Sequence, residues 1–131
     1  MRYLGGKSRL SKWLLPHILR NRCDGQYYVE PFCGAMNVIE NVKGLRIACD
    51  VDEDLISFYK ALTEGYTPPK CVSKELYEEI RKTPTNCPKE LVGFVAFGCS
   101  FGGKKFGGYA TGGGRNHCLE SYNKVMKQKN K

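Results

Sequence analysis

The chain has 131 residues, 41% of them hydrophobic and 26% charged, which suits one soluble globular domain and is small for a complete doubly wound enzyme. No apolar stretch approaches the roughly eighteen residues of a membrane span, and the basic start Met1 to Arg9 lacks the apolar segment of a secretory leader. A cytoplasmic protein without a membrane partner is expected, in the host cytoplasm if the chain is viral. Its net charge of +8 is uneven: residues 1–49 hold eight Lys/Arg against three Asp/Glu, residues 50–90 six against nine, and residues 91–131 seven against one. Two basic ends around an acidic middle fit a phosphate-backbone binder, and equally a merely soluble basic surface.

In chain order, Leu10, Trp13, Leu14, Leu15, Ile18 and Leu19 fall on one face at helical spacing. They predict a helix over 9–21 with Ser8 as its cap and a kink or restart at Pro16. A buried strand is expected at 27–30, a short helix at roughly 35–42 and a second strand at 45–49, a compact α/β unit. Leu55, Ile56, Phe58, Tyr59 and Leu62 predict a helix ending near Gly65, and Tyr66 to Pro69 a loop. Ser73 with Leu76, Tyr77 and Ile80 predicts another helix, broken before Pro84, and residues 89–97 are again apolar. No strong strand signal follows residue 50, so a parallel sheet begun here needs more strands, from a partner chain or from sequence beyond Lys131.

Eight of the seventeen residues from Gly98 to Gly114 are glycine, interleaved with Phe101, Lys104, Lys105, Phe106 and Tyr109. The segment cannot hold a regular helix. It is either a flexible low-complexity loop or a surface offering rings and cations to nucleic acid, and the second reading is taken.

Seven cysteines at scattered spacings argue against a disulfide framework and for a reducing compartment. There is no CxxC pair, and His117-Cys118 has no matching second pair, so no metal is expected. Gly6-Lys7-Ser8 imitates the end of a Walker loop, but Met1 stands where its first glycine belongs and no strand can precede it. Tyr3, the glycine pair and Lys7 still bring a ring, a turn and a cation together, able to cover an adenine and hold a carboxylate.

The most telling stretch is Tyr27 to Gly34, a short strand running into Glu30, Pro31 and a glycine turn. Asp50 closes the next apolar run sixteen residues beyond Gly34. Strand, glycine turn, strand and acid is the order in which an α/β sheet builds a nucleoside pocket, the acid accepting from ribose hydroxyls. Taken singly, Glu30 is as well explained as a strand end satisfied by water or amides, and Asp50 as the cap of the following helix. Asp52, Glu53 and Asp54 suit the first turn of a helix better than catalysis.

Three blocks, Arg2-Tyr3-Leu4-Gly5-Gly6-Lys7, Val29-Glu30-Pro31-Phe32-Cys33-Gly34 and Cys49 to Ile56, in that order resemble the Dam-like, D12-class DNA adenine-N6 methyltransferases. The resemblance implies a partial Rossmann-like class I methyltransferase fold with a helical, glycine-rich DNA-contacting segment. Residues 1–65 would form the cofactor-binding βαβ part and 66–131 the helical, glycine-rich part. It implies S-adenosylmethionine held by Tyr3, Lys7, Glu30, Phe32, Gly34 and Asp50, and double-stranded DNA met by Lys104, Lys105, Phe106, Tyr109 and Arg115. Adenine would be flipped out of the duplex to expose its amine.

Two departures from the family pattern stand out. Met36 occupies the second glycine position of the Phe-x-Gly-x-Gly turn, where its side chain is expected to crowd the cofactor. The catalytic Asp-Pro-Pro-Tyr motif is absent, and Thr67-Pro68-Pro69-Lys70 copies only its prolines, too early in the chain. No catalytic residue is assigned. The expectation is a truncated or split enzyme, inactive alone, with a second chain as a candidate source of the missing motif; the alternative is a non-catalytic DNA-binding module.

Overall fold

A computed structural model describes residues 1–131. Helix α1 (Ser11–Ile18) begins two residues later than its apolar pattern suggested, and its cap position is Leu10, which makes no side-chain bond. The expected cap, Ser8, instead accepts at its carbonyl from the Ser11 hydroxyl at 3.1 Å. The helix runs through Pro16 without a restart and ends two residues later. Its apolar face is largely uncovered, with Leu10, Trp13 and Ile18 exposed, so its amphipathic pattern has no packing partner in this chain.

Strands β1 (Tyr28–Glu30) and β2 (Arg46–Ala48) pair in parallel, Val29 opposite Ile47. The expected burial fails on one face: Val29 is 51% and Ile47 44% exposed. Two strands cannot cover both faces of a parallel sheet. The helix expected at 35–42 is replaced by turns and a single 3-10 turn, Ile39–Asn41. Gly34 and Met36 both adopt left-handed φ, +48° and +57°, which breaks any helical run before it starts. The βαβ unit is thus a β-turn-β unit.

Helix α2 (Glu53–Thr63) is capped by Asp52, whose carboxylate accepts from the Leu55 amide, and Gly65 at φ +104° closes its end. Helix α3 (Lys74–Lys82) is capped by Ser73, and α4 (Lys89–Gly98) follows. Helices α2 and α4 make the densest packing of the chain, because Gly93 lets them close to backbone contact: a Cβ there would stand 2.1 Å from the Asp54 carbonyl oxygen. Leu55, Phe58 and Phe94 are sealed there, each side chain contributing roughly 1.5–3 kcal/mol.

Helix α5 (His117–Lys129) was not anticipated. Its signal was present: Asn116 caps Leu119, Val125 is buried, and Lys127 and Lys129 occupy the last turn. The core draws on both halves of the chain, from Met1 and Leu55 to Cys118 and Val125.

The glycine-rich segment folds back on itself. Ser100 bridges Tyr109 in antiparallel fashion, the Phe101 amide donates to Gly108 at 2.8 Å, and the Phe106 amide donates to Ala96 at 2.8 Å.

Candidate functional site

The C-terminal ends of β1 and β2 set the geometry. The Gly34 amide donates to Asp50 Oδ2 at 2.9 Å, and Asp50 Oδ1 accepts from the Asp52 amide at 3.1 Å. The turn after the first strand and the acid after the second therefore meet. Each carboxylate oxygen has two lone pairs, so one on each remains for another donor. Asp50 is not the helix cap; Asp52 is.

Gly34 has a second reason to be glycine. A Cβ at this position would lie 2.8 Å from Cε1 of Tyr3, so the missing side chain gives room to that ring. Tyr3 also stacks on Phe97, centroids 5.1 Å apart. Its backbone is fixed by Gly103, whose carbonyl accepts from the Leu4 amide at 3.0 Å. Gly103 sits at φ +70°, and a Cβ there would stand 2.4 Å from the Tyr3 nitrogen.

These elements enclose a cleft of about 350 Å³ lined by all six expected residues, Tyr3, Lys7, Glu30, Phe32, Gly34 and Asp50. Phe32 stands at its rim, 83% exposed. Asn37 and the Gly5-Gly6 backbone also line it. Glu30 Oε2 accepts from the Ile39 amide at 2.9 Å, as a strand-end acid satisfied by an amide would, while the residue still faces the cleft. Burial pushes its carboxyl above the ordinary range, and the Ile39 amide, the Lys7 charge and the Tyr28 hydroxyl pull back. Burial, with Asp50 and Glu30 nearby, pushes the Cys33 thiol up to about 12, so Cys33 is a protonated wall rather than a nucleophile.

Met36 does not crowd this cleft. It lines a different cavity of about 510 Å³, beside β2 and α2, and packs against the core. That larger cavity is lined by none of the six expected residues.

The five expected DNA contacts are placed unequally. Lys104 is exposed. Lys105 Nζ is bound to Asp52 at 2.6 Å and Asp54 at 3.1 Å. Phe106, half-buried, and Tyr109 pack on Tyr77, centroids 5.9 and 5.5 Å away, and the Tyr109 hydroxyl donates to the Val72 carbonyl at 2.7 Å. Arg115 holds Glu120 in a two-pronged pair at 2.6 and 2.8 Å. Thr67 to Lys70 does not line the cleft; the Pro69 and Lys70 carbonyls accept from Cys118 and Asn116 at the start of α5.

Residues 3–97 match the family described as D12 class N6 adenine-specific DNA methyltransferase. No curated protein matches the chain.

Proposed function

The chain belongs to the D12 class N6 adenine-specific DNA methyltransferases, and on that footing we propose that its 350 Å³ cleft holds S-adenosylmethionine. The observation that carries this reading is the Asp50 carboxylate, tied to the Gly34 amide yet keeping a lone pair on each oxygen beside the Lys7 ammonium and the Tyr3 ring. The volume lies within the roughly 300–1,000 Å³ of small-molecule pockets. Asp50 accepts from the ribose hydroxyls, Lys7 meets the methionine carboxylate, and Glu30 faces the ammonium. Tyr3, stacked on Phe97 and close against Gly34, offers the purine a fixed wall of the cleft.

Bound there, the cofactor supplies a methyl group on a sulfonium. The DNA adenine must leave the duplex to present its amine, and Lys104 is the loop cation left to meet a phosphate. These 131 residues contain no Asp-Pro-Pro-Tyr, the family's acceptor for that amine. The proposal therefore includes a segment carrying the motif, in the same polypeptide or a second one, seated on the open face of Val29 and Ile47. Methyl incorporation into adenine-containing DNA by these residues alone would refute that part.

Calorimetric titration with S-adenosylmethionine tests the cleft. The parent chain is expected to bind, and Asp50→Asn and Lys7→Ala each to weaken binding about ten- to a hundredfold, the worth of a hydrogen bond to a charged group. Asp50→Asn keeps an acceptor for one of the two amides that Asp50 holds, and Lys7 is exposed, so circular dichroism that matches the parent's is required of both variants before their binding is compared. A parent that evolves no heat, or variants that bind as it does, overturn the reading in favour of a DNA-binding module.

A further inference from the structure

We infer that the groove between the N-terminal segment, the Phe101-Gly102 turn and α5 seats one strand of DNA, with Lys124 and Lys127 on its phosphates and Phe101 against a base. The inference rests on the chain acting on DNA, and it moves the principal contact from the glycine-rich loop to α5. The loop's own residues are largely spent on structure: Lys105 and Arg115 are paired with carboxylates, and Phe106 and Tyr109 are packed on Tyr77.

The groove is about 600 Å³ and has the opposite character. Lys124 and Lys127 line it, both exposed and neither paired with a carboxylate. Three residues apart on one helix, they stand side by side and can meet neighbouring phosphates. Glu40 is the only acid lining the groove, and Lys131 offsets it at 3.6 Å. Phe101 is 71% exposed, yet its backbone is pinned by the bond to Gly108, so the ring is presented rather than trailing. Stacking on such a ring is tolerant of base identity and adds to the phosphate contacts.

Position gives the groove its partner. Tyr3, Gly6 and Asn37 line both this groove and the candidate cofactor cleft, so the two adjoin. A strand lying along α5 thus passes the mouth of the cleft, where a flipped base has the shortest path to the reacting methyl.

Fluorescence anisotropy with a labelled adenine-containing duplex over a range of salt tests this. Lys124→Gln with Lys127→Gln is expected to weaken binding about ten- to a hundredfold at low salt and to flatten the log-log salt slope by about 2, one for each lost phosphate contact. Phe101→Ala should weaken binding with the slope unchanged. Lys74→Gln with Lys82→Gln, on α3, removes the same charge elsewhere and should change neither quantity. The inference is overturned if the parent does not bind the duplex, if the α5 pair keeps the parent's slope, if the α3 pair matches the α5 pair, or if phosphatidylserine vesicles displace the duplex. The S-adenosylmethionine titration should be unaffected by all four lysine changes, so failure of the groove and failure of the cofactor cleft are separately visible.

Discussion

Glu30 is held in the cleft against its own solvation. Burial raises its carboxyl above the ordinary value of 4.5 despite the Ile39 amide and the Lys7 charge. The folded chain therefore binds this proton more tightly than the unfolded chain does, so stability from Glu30 is full below the ordinary carboxyl range and is lost as pH rises through its raised value. Glu30→Gln keeps an acceptor for Ile39 without the charge. Thermal melts from pH 4 to 7 should show the Gln variant gaining on the parent as pH rises past 4.5, and a gap that is flat or closes would contradict this placement. Glu30 and Asp50 were legible as a pair because strand ends and acids are marked in sequence. Their actual partners, the amides of Ile39, Gly34 and Asp52, were not legible, because which backbone groups a turn presents is fixed by its φ angles.

At the scale of elements, the glycine-rich segment is a strut as much as a surface. It holds Tyr3 through Gly103, covers the cap of α2 through Lys105 and is braced by Tyr77, whose hydroxyl pairs with Ser100 at 2.7 Å. Gly103→Ala would drive a methyl into the Tyr3 backbone, with no flexible side chain to yield. It is expected to displace the N-terminal segment and weaken S-adenosylmethionine binding by at least about tenfold, the effect of losing one good contact. Gly102→Ala, at φ +63° but with nothing within 4 Å, carries only backbone strain of about 1–2 kcal/mol and should bind nearly as the parent does. Equal binding by both variants would remove Gly103 from the site. Helix spacing foretold α2 and α3 well: at α3 the cap Ser73 and the apolar period agreed, and at α2 the period held although the cap is Asp52 and not Asp50. It misled at 35–42, where two left-handed residues override propensity, and it passed over α5, whose apolar positions are few among its lysines.

Across the whole molecule, the two basic ends noted in the sequence are brought together. Arg2 donates to His117 Nδ1 at 2.6 Å and pairs with Glu120 at 3.0 Å, which draws the N-terminal segment against α5. Charge clustering was thus readable along the chain, while the groove it lines depended on a long-range contact that no local pattern encodes. The same holds for the sheet: two short strands led to the expectation of further ones, while which face stands open, that of Val29 and Ile47, was visible only in the structure. Amide resonances report directly on whether ligand reaches the Asp50 carboxylate, since the Gly34 and Asp52 amides are both bonded to that group. Titrating ¹⁵N-labelled chain with S-adenosylmethionine should move the Gly34 and Asp52 amide peaks while those of α3, Lys74–Lys82, stay in place. Peaks of Gly34 and Asp52 that remain still at saturating cofactor would rule out a ligand on Asp50.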